Sequence, residues 1–404
     1  MHKNSLQLIW ASLLTGFVSI SYYLSLLSPA IPFAVTISVI ILFAVYSYKW
    51  VINAAVEEIP FTSNTKKILS YIVFAAGVII ITNKSYYCCL QYGGWDGWSI
   101  WNYHAKFLLH EGQYHYLFNS PGYGGHPDYP LFLPSAIAFV WRITGSTSQI
   151  VPFIFSFFFT LATPVVIYYS LYRKNIYVAG LVFLLMATKE FYLERGLAQY
   201  ADLPLGFMFL CAIICISNGI ADKRETLITG ALLGCCMWLK NEGIMLSVLF
   251  IVFNGPSLML KGKWKYFVGG LILPVTALLL FKAGAPATDL IEGQSASTLG
   301  HLKDWNRYKM IWDAMANQLT NNFSEIKIAI ILYACLCVAQ RKVPAKSLVM
   351  LLCCVTGYFF VYVITPRDLE WHLGTSADRV LLQLFPAFAY LLTLQFTNIS
   401  RSKS

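Results

Sequence analysis

The sequence predicts an all-α, polytopic membrane protein in which residues 1–404 form a single transmembrane domain. Of the 404 residues, 57% are hydrophobic and only 12% are charged, whereas about 25% of residues are charged in a typical soluble domain. Apolar runs also recur from one end of the chain to the other, and they leave no stretch long enough for a separate soluble domain. These observations predict a bundle of helices embedded in a membrane through most of its length.

Apolar runs mark the candidate membrane spans. Several are shorter than the roughly 20 residues that cross a bilayer, and such pieces are tolerated when tilted or broken helices line a cavity. We therefore expect about 11–13 transmembrane helices. The candidate spans are 6–27, 30–48, 68–84, 149–172, 176–190, 203–219, 226–240, 243–258, 266–283, 326–340, 347–364 and 380–397.

The distribution of charge predicts which loops share a side of the membrane. Lysine and arginine gather in one alternating set of loops, which the positive-inside rule makes cytoplasmic. The other set, at 85–130, 189–204, 284–325 and 365–379, is then external and holds fourteen of the nineteen acids, and Glu242 brings the external acids to fifteen. The net charge of +10 follows from this topology, and no nucleic-acid partner is predicted. The basic loops contain Lys49, Lys66–Lys67, Arg173–Lys174, Lys223–Arg224, Lys261, Lys263, Lys265, Arg341–Lys342, Arg401 and Lys403.

Two stretches do not fit a simple alternation of spans and loops, one at a predicted crossing and one in an external loop. Residues 131–172 make one net crossing but contain two apolar runs, 131–143 and 149–172. Either the first run is interfacial or re-entrant, or one charge assignment is wrong. In the loop 284–325, aromatic and apolar residues recur at helical spacing over 302–319, which predicts an external juxtamembrane helix lying on the outer surface.

The first external loop carries the strongest candidate for catalysis. Asp96 lies between two tryptophans and two glycines just beyond a span. A carboxylate that is partly desolvated by aromatic rings can serve as a general base. The alternative is that Asp96 only caps the helix expected at 97–109. Lys106, in the same loop, and His126 and Asp128, at its end, are candidate substrate-binding residues, although a rigid turn also explains the last two.

Further polar residues occur close to the predicted spans. Asp202 precedes a span after Arg195, and Lys240 and Glu242 lie between two short apolar runs. Charged groups at membrane depth are costly and usually functional, although Asp202 also fits a helix N-cap. We expect Asp202 to be catalytic and Arg195, Lys240 and Glu242 to bind substrate. Asp96 and Asp202 are also candidate ligands of a magnesium or manganese ion, because such ions prefer carboxylates.

The last external loop, 365–379, has a composition that suits a phosphate. It contains Arg367, His372 and Arg379 together with two threonines, and arginine binds phosphate through several parallel hydrogen bonds. These three residues are candidate substrate-binding groups. The alternative is a loop held together by salt bridges.

Taken in order, these motifs resemble the GT-C superfamily of glycosyltransferases, which use sugars linked to a polyprenyl phosphate. The likeness is to the branch of the bacterial protein O-mannosyltransferases and the lipid A aminoarabinose transferase. An acid in the first external loop and a His-Pro motif at 126–130 correspond to that family, although Asp128 stands where the family has proline. The other matching segments are Leu133–Ser135, Arg195 with Asp202, and Gly230–Gly234 followed by Lys240.

The resemblance implies a GT-C-like bundle and sugar transfer at the outer face of a bacterial inner membrane. The donor would be a polyprenyl-phosphate sugar and the acceptor a lipid, glycan or protein. Asp96 would act as general base, and Lys240, Arg367 and Arg379 would neutralise the leaving phosphate. The alternative from another class is a polytopic transporter or flippase of lipids or oligosaccharides.

Overall fold

A computed structural model describes residues 2–28, 30–52, 64–89, 91–109, 112, 114–119, 125–172, 174–217, 222–260, 262–288, 293–294 and 296–401. Every regular element in these ranges is helical. The tips of the predicted loops 85–130 and 284–325, and Arg173 and Lys261 of the basic loops, lie outside the described residues. The helices are α1 (Lys3–Leu27), α2 (Phe33–Ile52), α3 (Asn64–Tyr86), a π-helical turn (Gly97–Trp101), α4 (Asn102–Leu109), α5 (Tyr116–Asn119), α6 (Phe132–Thr144), α7 (Ile150–Leu171), α8 (Ile176–Thr188), α9 (Glu190–Leu197), α10 (Asp202–Ser217), α11 (Lys223–Leu239), α12 (Glu242–Leu260), α13 (Trp264–Gly284), α14 (Ala296–His301), α15 (Trp305–Asn321), α16 (Ser324–Ala339), α17 (Lys346–Ile364) and α18 (Leu369–Arg401).

Eight of the described helices are long and apolar enough to cross a membrane, and the number reaches ten if two bent pairs each count as one span. The bent pairs are α8 with α9, at 64°, and α15 with α16, at 99°. The chain is therefore a multi-pass membrane protein, as predicted, but with fewer full-length spans than the expected 11–13. The difference arises partly because the predicted spans 203–219 and 226–240 form helices of only 16 and 17 residues.

The centre of the bundle is formed by α10, which buries nearly all of its residues. It packs against α11 and α18. Gly206 lies directly against the backbone of Gln383 on α18, so a side chain there would collide with it. Such close approach of two helices is the usual role of small residues within membranes. It brings the start of α10 beside the middle of α18.

The N-terminal helix α1 connects two segments of the site region. The Ser19 hydroxyl donates to the carbonyl of Leu131 at 3.3 Å, and it accepts a hydrogen bond from the Trp238 indole at 3.0 Å. Leu131 precedes α6 and Trp238 lies at the end of α11. The Ser19 hydroxyl thus links the N-terminal end of α6 to the C-terminal end of α11, which Lys240 follows.

The two apolar runs of 131–172 form helices of unequal length. The first, α6, has 13 residues and ends at Gly145, whose φ of 63° is the left-handed conformation common at helix ends. At 1.5 Å per residue it spans only about 20 Å, which is less than the roughly 30 Å hydrocarbon core of a bilayer. Only α7, with 22 residues, is long enough to cross, which agrees with the interpretation of the first run as a non-crossing segment.

The predicted loop 365–379 is mostly helical, which corrects the sequence interpretation. The Asp368 carboxylate accepts a hydrogen bond from the Trp371 backbone N–H at 2.8 Å, and the long helix α18 starts at Leu369. The predicted juxtamembrane helix at 302–319 is present as α15, which follows the N-cap Asp304. The helical form of 369–379 matters because it fixes His372 and Arg379 on one rigid element.

Candidate functional site

A cavity of about 840 Å³ lies between the segment that follows Asp96, the turn at 125–129, the break between α11 and α12, and the adjoining ends of α17 and α18. Most of the predicted site residues reach it. Eight of them line the wall: Asp96, His126, Arg195, Lys240, Glu242, Arg367, His372 and Arg379.

Asp96 enters the cavity because its loop lies tightly against the segment before α10. Gly93 adopts a φ of 83°, a conformation that favours glycine. The Gly94 backbone N–H donates to the carbonyl of Ala198 at 2.9 Å. Asp96 occupies the N-cap position of the π-helical turn, but its side chain makes no capping hydrogen bond. The carboxylate instead accepts a hydrogen bond from Arg379, so capping is not what engages it.

Arg379 connects the two predicted acids. It lies 283 residues after Asp96 in the chain, and its side chain is 13% exposed. Its guanidinium lies 5.2 Å from the centre of the Tyr200 ring, a cation–π contact. The charges of both Asp96 and Asp202 act on it. Residues from the segment between α3 and α4, from α10 and from α18 therefore meet at this arginine.

Asp202 lies behind the cavity wall rather than on it. Its side chain is 2% exposed and accepts a hydrogen bond from the Lys240 ammonium at 2.9 Å. The Gln383 amide donates to the same oxygen at 2.6 Å, and the Tyr358 hydroxyl donates to Gln383 in turn. Because its carboxylate holds these side chains, Asp202 is more than a helix cap.

Lys240 faces the cavity with a second carboxylate beside it. Its ammonium lies 2.9 Å from Glu242 as well as 2.9 Å from Asp202. The backbone of Lys240 is extended, since it occupies the break between α11 and α12. Because the helix is interrupted at Lys240, the side chain points into the cavity. This agrees with the expectation that a charge between the two apolar runs needs a partner or a cavity.

A divalent ion between Asp96 and Asp202, as predicted, would compete with cations of the protein itself. A positive side chain is the bonded neighbour of each carboxylate. Among the residues that the structure describes, no three histidine, cysteine or acidic side chains are grouped so as to hold a metal. Magnesium or manganese dependence stays a prediction.

The remaining wall residues form a rim of basic and aromatic groups. Arg195 pairs with Asp378 at 2.7 Å. Arg367 lies 5.6 Å from the Trp371 ring centre, and the His372 Nδ1 lies 2.9 Å from the Thr365 hydroxyl. Two residues of 365–379 therefore form ion pairs, Asp378 with Arg195 and Arg379 with Asp96, whereas Arg367 and His372 both face the cavity.

Aromatic rings close the floor of the cavity. The Tyr129 ring stacks on His126 at 4.6 Å, and the Lys240 ammonium lies 5.7 Å from its centre. Burial raises the pKa of the Tyr129 hydroxyl, and the charge of Glu242 raises it further. Burial and the charge of Asp96 likewise raise the pKa of Tyr200. Both phenols therefore stay neutral and are able to donate hydrogen bonds.

Lys106 and Asp128 were predicted to bind substrate, but neither lines the cavity. Lys106 faces a separate pocket with Tyr92, Trp98 and Tyr103. Asp128 is 4% exposed, and its carboxylate accepts a hydrogen bond from Asn241 at 2.6 Å. The Asp128 carboxylate therefore contacts another residue of the protein and does not face the cavity.

Three residues that bond to site residues or to each other were not singled out from the sequence: Gln383 and Tyr358 behind the cavity wall, and Lys282, whose ammonium donates to the carbonyl of Asp128 at 2.6 Å. The only signal for Gln383 and Lys282 was a polar residue inside an apolar run. Tyr358 gave none, because tyrosine is common in this chain. No family model, curated protein or solved structure matches the chain, so its function is argued from the geometry of the cavity.

Proposed function

We propose that the protein is a membrane glycosyltransferase that moves a sugar from a polyprenyl-phosphate donor to an external lipid, glycan or protein. One observation carries the proposal. The cavity wall holds the carboxylate Asp96 beside a cluster of cations, and the cations outnumber the carboxylates on that wall. The cations are Arg195, Lys240, Arg367 and Arg379, and the carboxylates are Asp96 and Glu242.

The chemistry of this wall suits a displacement at the sugar's anomeric carbon. Asp96 takes the proton of an acceptor hydroxyl while the hydroxyl oxygen forms a bond to the anomeric carbon. The bond from that carbon to the phosphate oxygen breaks, and its electron pair leaves with the polyprenyl phosphate. A single displacement of this kind inverts the configuration at the anomeric carbon.

The leaving phosphate gains negative charge as this bond breaks. Lys240 is buried at the cavity wall and Arg379 is only 13% exposed, so both are suited to stabilise it, because preorganised cations act strongly where water is largely excluded. Arg367, on the rim, adds a third. Arg379 pairs with Asp96 in the described state, so a bound phosphate would compete with Asp96 for the guanidinium and leave the carboxylate to the acceptor hydroxyl.

The multi-pass fold supports a donor of this kind. A polyprenyl chain partitions into lipid, while its charged headgroup needs a polar cavity. The positive-inside distribution of lysine and arginine puts the cavity segments on the external side. In the proposal this is the outer, periplasmic face of a bacterial inner membrane, and the membrane lipids themselves surround the bundle.

Binding of undecaprenyl phosphate to the purified protein tests this proposal. Wild type is expected to bind it more tightly than undecaprenol, which has the same chain without the charge. Arg367→Gln and Arg379→Gln should each weaken phosphate binding by about 10- to 100-fold, because a hydrogen bond to a charged group contributes about 1.5–3 kcal/mol. Lys303→Gln, at an exposed position, serves as a control. Equal affinity of wild type for the two lipids would overturn the proposal.

A further inference from the structure

Lys282 makes polar contacts that its apolar segment does not predict. It lies in the last turn of α13, a predicted span. Its ammonium donates to the backbone carbonyl of Asp128 at 2.6 Å and to the side-chain oxygen of Asn241 at 2.9 Å. Asn241 in turn donates to the Asp128 carboxylate at 2.6 Å. The three residues form a closed ring of hydrogen bonds that includes the backbone carbonyl of Asp128, and we call this ring the 128–241–282 clamp.

The clamp lies one residue away from two wall groups of the cavity. Asp128 precedes Tyr129, and Asn241 follows Lys240; both Tyr129 and Lys240 line the wall. The two wall groups also touch, since the Lys240 ammonium lies 5.7 Å from the centre of the Tyr129 ring. A residue that ties 128 to 241 therefore fixes the spacing between the two wall groups.

The packing of α11 and α13 explains why Lys282 arrives at this point. Gly230 lies against the backbone of Phe267, and Gly234, one turn further along α11, lies against the ring of Pro274, further along α13. Side chains at either glycine would force the helices apart. The contacts proceed in the same direction along both helices, so their C-terminal ends, at Leu239 and Gly284, lie side by side. A lysine near the end of α13 then meets the residues that follow α11.

We propose that Lys282 is a positioning residue, which holds Lys240 and Tyr129 in register at the cavity through the 128–241–282 clamp. This inference rests on the proposed function, because it assigns the clamp to phosphate binding. Lys282 does not line the cavity, so it acts through Lys240 rather than by touching substrate. An ammonium suits the role because it donates several hydrogen bonds at once, and it lies at a helix C-terminus, where a cation is favoured.

The test compares the affinities of detergent-solubilised variants for undecaprenyl phosphate and undecaprenol. Lys282→Met should weaken binding of the phosphate lipid about 10-fold, because Lys240 would no longer be held in place to contact the phosphate. Binding of undecaprenol should stay unchanged, since it has no phosphate for Lys240 to contact. Lys282→Arg should recover part of the loss. Lys327→Met removes a lysine that bonds only to Thr320 among the described residues, and it should bind like wild type.

The outcomes separate this inference from the proposed function. If wild type prefers the phosphate lipid and folded Lys282→Met keeps the full preference, the positioning role is wrong. If wild type shows no preference, the proposed function fails first. Should Lys282→Met not fold, Asn241→Ala opens the clamp from another member and is expected to show the same selective loss; an unchanged preference in that variant would also overturn the role.

Discussion

An ion pair at the cavity and an ion pair at the periphery each join a lysine to a carboxylate, but the two pairs differ in their exposure to solvent. Lys240 and Asp202 are 5% and 2% exposed in their pair. In the peripheral pair of Lys189 with Glu325, the glutamate is 48% exposed. The distances are 2.9 Å and 2.8 Å, so geometry does not distinguish the two pairs.

Burial is therefore what gives the cavity pairs their significance. Moving a charge out of water costs several kcal/mol, and a buried pair rarely stabilises a fold more than apolar residues of the same size would. Such a pair is better understood as a functional arrangement than as a structural one. The peripheral pair costs little and contributes little.

The largest effect is expected from Lys240→Met. The change leaves Asp202 and Glu242 without their shared ammonium, and an unpaired buried charge costs about 3–5 kcal/mol. The apparent free energy of unfolding, measured by SDS titration in mixed micelles, should fall by that amount. Lys327→Met is the matched control. A loss below about 1 kcal/mol would place this pair in the same class as a surface pair and break the comparison.

Glu325→Gln should have the smallest effect. Its carboxylate is half exposed, and pairs of this kind contribute about 0–1 kcal/mol. The same SDS titration should detect a change of that size at most, and the change should shrink further in high salt because exposed charges are screened. If the loss matched that of Lys240→Met, exposure would not be the property that separates the two pairs.

Much of the fold followed from the sequence because hydropathy and charge act locally. Apolar runs predicted most of the helices, and an Asp-capped helix appeared where 302–319 was expected. The short helices α10 and α11 were taken as spans, since apolar content alone does not tell a lipid-facing helix from a buried one. The helical start of α18 was missed because its first turns are rich in charged residues.

The site could be predicted only in part, for a physical reason. Lys240 was singled out because charge at membrane depth is costly, Asp96 because aromatic residues surround it, and Arg379 because its loop is rich in phosphate-binding side chains. Which side chains lie on the wall and which lie behind it depends on helix rotation, which no local pattern records. The sequence therefore did not indicate that Lys106 and Asp128 lie off the cavity wall, and it did not single out Lys282, which ends an apolar run.

The central claim is that Asp96 is the base of a sugar transfer from a polyprenyl phosphate. The most direct measurement is release of undecaprenyl phosphate from undecaprenyl-phosphate mannose, galactose or glucose in membranes that supply the acceptor. Asp96→Asn keeps the size of the side chain and removes its basicity, so transfer should fall by at least about 10²-fold while membrane insertion stays normal. Glu190→Gln, at a 73% exposed side chain, should keep the wild-type rate. A correctly inserted Asp96→Asn protein that transfers sugar at the wild-type rate would contradict the account.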